Sequence, residues 1–163
     1  YARDDDGGTS CGGDCNDDSA AINPGASDAS CDGNGIDDDC DGTVDVVAPS
    51  THPALTIAQA AGDTHLSWGA VSSATGYDVF AGDLSELRAH AGDYSSLSLA
   101  ACLSNDLAAT SLSAGSGIPA PGGGRWFIVR AINCAGAGTY DEGGAGQSGS
   151  RDPGIQASSA PCP

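Results

Sequence analysis

The chain has 163 residues, enough for one ordinary domain or for a small one followed by a medium one. Its 22 acidic residues against five basic ones give a net charge of −17, which argues against nucleic acid and anionic membranes as partners and leaves divalent cations as natural counterions. No apolar run approaches the roughly 20 residues of a spanning helix, so membrane insertion is not expected.

Residues 1–45 hold 13 of the 20 aspartates and four of the seven cysteines, with hardly an apolar side chain beyond Ile22, Ile36 and Val44. Such a segment cannot bury enough surface to offset its chain entropy. It must be disordered or held by cross-links and ions, and the cysteines argue for the second.

Its clearest pattern runs from Asp37 to Asp45. Asp37, Asp39, Asp41 and Asp45 stand at loop positions one, three, five and nine, with glycine at six (Gly42) and an apolar residue at eight (Val44). This is the start of an EF-hand loop, in which alternate residues converge on one ion and the Thr43 carbonyl adds a ligand. Ala48 replaces the bidentate glutamate at position twelve, so Asp32 or another loop must complete the shell. The same spacing recurs at Asp14, Asn16 and Asp18, with Asp17 between them. A poorer version holds Asp4 and Asp6.

All-oxygen donors favour Ca²⁺, one to three ions, over zinc or copper. A solvated acidic tail is the plain alternative, but a tail has no need of Cys15 and Cys40 inside its loops. A cysteine–zinc site is disfavoured because short C-x-x-C pairs are missing and secreted thiols oxidise.

Residues 46–53, with two prolines, read as an extended linker. Period-two patterns follow. They predict strands over Ala54–Ala60, over Thr64–Val71 with Leu66 and Trp68 inward, and over Gly76–Ala81 with Tyr77 and Val79 on one face. Asp83 to Glu86 has capping-box spacing and predicts a short helix reaching about His90. Tyr94–Leu99 and Thr110–Ser113 are weaker strand candidates. Arg125–Asn133 alternates most clearly, and a last edge strand is expected near 145–151. The fold class is therefore mainly β: a loop-rich, disulfide-stapled segment, then a β-sandwich over residues 54–163.

Seven cysteines in a chain poor in large apolar residues point to an oxidising, extracellular or cell-surface setting. The chain starts at Tyr1 without Met, so a signal peptide is expected to have been removed. Cys102 and Cys134 fall at one end of the predicted sandwich and are the favoured pair. Cys162 is then free, or bonded to another part of the chain or another subunit. No G-x-S-x-G elbow accompanies the three histidines, so no enzyme is expected. Trp68 and Trp126 read as core residues, and Arg125 and Arg130 as partners of carboxylates or residents of the open sheet face.

Asp14 to Ala26, with its Asn23-Pro24-Gly25-Ala26 run, and then Cys31-Asp-Gly-Asn-Gly-Ile-Asp-Asp-Asp-Cys-Asp-Gly-Thr-Val-Asp45 resemble the MopE-type metal-binding motif of bacterial surface and secreted proteins. The resemblance covers residues 4–45 and departs from the pattern at Asn16, at Asp38 and in a shortened first loop. Thrombospondin type 3 repeats use similar loops. More loosely, Leu66-Ser-Trp68, Gly76-Tyr-Asp-Val79 and Trp126 to Asn133 resemble a bacterial fibronectin type III domain, which implies an immunoglobulin- or fibronectin III-like β-sandwich over residues 54–163 in which the tryptophan and the alternation serve packing.

The resulting expectation is a secreted, calcium-rigidified structural protein, a filament subunit that self-associates head to tail. The alternatives are the stalk of a larger surface protein binding a protein or glycan partner, and an accessory domain of a secreted hydrolase.

Overall fold

In the computed structural model the described residues are 16, 19, 21–24, 26, 34–38, 40, 42, 44, 46–116, 119, 121–145 and 147–163. The chain divides into two compact units, residues 1–48 with 134–136, and residues 49–133 with 137–163.

The second unit is built on two antiparallel sheets. Strands β1 (Leu55–Ala60) and β2 (Asp63–Trp68) form a hairpin whose register runs from Leu55 opposite Trp68 to Ala60 opposite Asp63. The turn residues Ala61 and Gly62 both take positive φ, at 53° and 90°, the twist that a two-residue hairpin loop requires. Strand β5 (Ser111–Ser116) pairs with the other edge of β2, giving the order β1-β2-β5.

The second sheet has the order β4-β3-β6-β7, from β3 (Gly76–Asp83), β4 (Ala101–Ser104), β6 (Arg125–Asn133) and β7 (Gly136–Ala137). Strands β3 and β6 are paired without interruption from Gly76 opposite Ile132 to Asp83 opposite Arg125.

Alternation sorts the side chains into two apolar cores. Leu66 and Trp68 of β2, Tyr77, Val79 and Ala81 of β3, Ala114 of β5, and Phe127, Val129 and Ala131 of β6 fill the space between the sheets. The outward residue Phe80 begins a second core with Leu97, Ala100, Tyr140 and Ile155, against which Trp126 and Ile128 pack. Strand β3 is therefore buried on both faces from Gly76 to Gly82. A Cβ at Gly82 would collide with the Trp126 ring, so glycine there lets the indole lie flat over the strand.

Helix α1 (Leu84–Ala89) starts where capping chemistry places it, with the Asp83 carboxylate accepting the N–H groups of Ser85 and Glu86. Helix α2 (Asp152–Gln156) carries proline in its first turn. It sends Ile155 into the outer core.

Three expectations are corrected. Tyr94–Leu99 is not a strand: Tyr94–Ser96 form a 3₁₀ turn, because the Asp93 carboxylate takes the N–H of Ser95 and the hydroxyls of Ser95 and Ser96. The described residues within 145–151 carry no strand, and the regular structure that follows them is α2. Cys102 is bonded to Cys162, 60 residues on, and not to Cys134, which is itself disulfide-bonded. The Ala160 carbonyl accepts the N–H of Cys102 at 2.8 Å and brings Cys162 alongside β4.

The strands expected over Ala54–Ala60, Thr64–Val71, Gly76–Ala81 and Thr110–Ser113 are found as Leu55–Ala60, Asp63–Trp68, Gly76–Asp83 and Ser111–Ser116, and β4 was not expected. Trp68 is a core residue, Arg130 pairs with a carboxylate, and the expected strand over Arg125–Asn133 has those same bounds. No helix among the described residues is long and apolar enough to cross a membrane.

Candidate metal centre

Of the predicted ligands, Asn16 and Asp37 lie among the described residues. Asp4, Asp6, Asp14, Asp17, Asp18, Asp32, Asp39, Asp41, Thr43 and Asp45 lie outside them. Among the described residues no cluster of three or more His, Cys, Asp or Glu side chains is placed to hold a metal ion.

The described part of the second loop is nonetheless shaped by its acidic and amide side chains. The Asn34 Oδ1 accepts the N–H of Ile36 at 2.5 Å, an Asx turn that reverses the chain before the aspartates. The Asn34 amide then donates to the Asp38 carboxylate at 2.6 Å. Asp37, at position one, accepts the N–H of Gly42, at position six, at 2.9 Å. Gly42 has φ of 92°, where a side chain would be strained, so glycine makes the return that carries its N–H to Asp37. Cys40, between them, also takes positive φ, at 61°, and is disulfide-bonded. The oxidised sulfur offers no thiolate to a metal.

The described residues of the motif's first half are joined by tight-turn hydrogen bonds. The N–H of Ser19 reaches the Asn16 carbonyl at 3.1 Å, and the N–H of Ile22 reaches the Ser19 carbonyl at 3.0 Å. Ala26 N–H closes onto Asn23 at 2.8 Å. The two halves meet where Asn23 N–H donates to the Asp38 carbonyl at 2.9 Å. Ile22, buried, is the apolar anchor of this stretch. Sequence reasoning assigned no part to Asn34 or Asp38, although an Asn-Gly pair ahead of an aspartate run is a turn signal.

Fitness for a cation can be judged on these contacts. Asp37 accepts the backbone N–H of Gly42 and Asp38 the side-chain amide of Asn34, so two carboxylates of the loop are fixed by its own N–H groups. The Cys40 sulfur, between Asp37 and Gly42 in the sequence, is already oxidised. Oxygen-binding ions fit such a loop.

The other charged cluster lies in the sandwich and is structural. Asp78 and Arg130 face each other across β3 and β6, with the Arg130 Nε and Nη2 each 2.8 Å from the Asp78 Oδ2. The Asp78 Oδ1 accepts the N–H of Asp106 at 3.1 Å. The guanidinium lies over the Tyr140 ring, 4.8 Å from its centre. Burial raises the pKa of the Tyr140 phenol above its ordinary value, keeping it protonated.

Residues 14–45 match the family model Cu-binding_MopE, whose description is "Putative metal-binding motif". The chain thus carries the MopE-type motif in the segment that holds the aspartate loops. No curated protein matches the chain.

Proposed function

We propose that this chain is a non-catalytic, extracellular structural protein whose aspartate loops hold calcium, one to three ions, and become stiff when they do. The contact from the Asp37 carboxylate to the Gly42 N–H carries this reading, since it closes a one-to-six turn around alternating acidic residues. Ligand chemistry favours calcium over the copper in the family's name. Residues 14–45 contain no histidine and no methionine, and Cys40 is already oxidised. Copper prefers imidazole and soft sulfur, whereas hard carboxylates suit calcium.

Residues 4–45 have little apolar surface of their own, so ion binding there is folding energy. Residues 54–163, read as fibronectin type III-like, form a β-sandwich with cores of their own. A stiff, acidic segment in the same chain as a compact sandwich suits a repeating extracellular structure. Calcium between carboxylates of neighbouring copies would set a head-to-tail contact, and such contacts grow into open filaments.

The test is calorimetric titration of the full chain with Ca²⁺ and with Cu²⁺, together with thermal melts in calcium and in EDTA. Expected are calcium binding at micromolar to millimolar strength, a transition lost in EDTA, and weaker binding of copper. Microscopy of the same samples should show filaments that dissolve in EDTA. Absence of calcium binding, or tighter copper binding, sinks the calcium assignment. Particles that stay single with calcium bound point instead to the stalk of a larger surface protein.

A further inference from the structure

Among the described residues, strand β6 is paired with β3 along one edge and with the short β7 along only part of the other. Residues of a strand alternate in the edge to which they direct N–H and C=O. Ile132 serves β3, since its carbonyl accepts the Thr75 N–H at 2.8 Å. Ala131 serves the other side, accepting the Gly138 N–H at 2.9 Å. By that alternation Val129 and Phe127 direct their backbone groups to the same side as Ala131. There β7 ends at Ala137, and no strand among the described residues continues it.

The diversion has a cause. Gly138 passes so close to Pro49 that a Cβ would strike the Pro49 carbonyl oxygen. Thr139 and the Tyr140 N–H are then held by the Asp152 carboxylate. Tyr140 goes into the outer core, and the chain leaves the edge behind.

A cleft of about 280 Å³ occupies the vacated lane. Phe127, Ile128 and Val129 all line it. Consecutive side chains of a strand point to opposite faces, so a cleft that touches all three runs along the strand's edge. Its far walls are residues 52–55, leading into β1, and Tyr140 with Glu142.

We propose that this lane receives an extended, arginine- or lysine-bearing segment of another protein, added as a further strand beside β6. Unpaired N–H and C=O groups along an edge are recognised by another extended backbone. Charge selects the class of segment. The second unit carries nine acidic residues against four arginines, within a chain of net charge −17. Glu142, its side chain 58 % exposed, stands at the lane, and among the described residues its carboxylate has a 3.3 Å surface contact to Arg151, which an incoming cation can displace. A second copy would bring the same negative field and no lysine.

The probe is a capped heptapeptide alternating valine with arginine, added to the full chain in calcium, with amide hydrogen exchange read by NMR. Exchange at Phe127 and Val129 should slow by about tenfold or more. The same peptide N-methylated at alternate residues should give no protection, because it cannot complete the ladder. Glutamate in place of arginine should weaken binding at least about tenfold, and Glu142→Arg should weaken binding of the arginine peptide about threefold. The proposal is overturned if the arginine peptide fails to bind by about 1 mM. Binding without slowing Phe127 and Val129, or equal protection by the N-methylated peptide, overturns it too. Protection that rises with protein concentration alone assigns the lane to a second copy and equally overturns it.

Discussion

Asp78 and Arg130 are buried on the outer face of β3 and β6, beside Tyr140 of the outer core, where an unpaired charge is expensive. Each is satisfied: the guanidinium by the carboxylate and the Tyr140 face, the carboxylate by the Asp106 N–H as well. Removing one partner leaves the other charge stranded. Asp78→Ala should therefore cost about 3–5 kcal/mol, read as a lower urea midpoint at unchanged slope. Replacing both residues by leucine should cost far less. A loss below about 1 kcal/mol for the single variant would mean that water reaches Arg130.

The loop after the 3₁₀ turn is tied to α1 by one side chain. Glu86 accepts the Ser98 hydroxyl and N–H and the Leu99 N–H, and these contacts, the Ser98 hydroxyl foremost, hold its pKa below the ordinary 4.5. A lowered carboxylate pKa gives stability that is present above the unfolded value and lost as pH falls through the folded one. The thermal-stability gap between the wild type and Glu86→Gln should thus be full at neutral pH and close on acidification below about 4.5. A gap that persists at pH 2 would count against this tie.

The disulfide makes a second tie. Closing a loop with a separation of 60 residues restricts the unfolded chain by about 4 kcal/mol in the chain-entropy account. Cys162→Ser should lower stability by about that amount under non-reducing conditions.

Elements differ in how plainly their residues announce them. Arg125–Asn133 alternates because each face of β6 meets its own core, and Asp83 marks a helix start by chemistry that acts locally. Tyr94–Leu99 misleads because Leu97 and Leu99 alternate, while the Asp93 carboxylate beside two serines captures the backbone first. The Asp152-Pro153 pair announces α2, but the glycine-rich run before it hides the signal. Strand β4 is short and draws its place from β3. Cysteine pairing depends on which chain ends the fold brings together, which spacing does not encode. In the candidate metal loop, positions one and six were legible, since the Gly42 turn carries its N–H to the Asp37 carboxylate, while Asp39, Asp41 and Asp45 lie outside the described residues. The roles of Asn34 and Asp38 were not, since they support the turn rather than the ligand pattern.

At the scale of the molecule the dominant quantity is charge. A net charge of −17 opposes compaction, and the opposition is screened by salt. In EDTA, raising NaCl from about 20 mM to about 500 mM should raise the melting temperature of the full chain, and calcium at a few millimolar should raise it further. Salt acting as strongly as calcium would mark the ion as a screening counterion instead of a bound one.

The Cys102–Cys162 bond also determines how the molecule answers tension. A pull applied at Pro163 reaches Cys162 and crosses directly to β4, without peeling away α2 or drawing on the chain between the two cysteines. The 60-residue separation they span is hidden length: extended, it would add roughly 200 Å. That slack becomes available only after the bond is reduced, so in an oxidising medium the sandwich behaves as a short, stiff link, and in a reducing one as an extensible one.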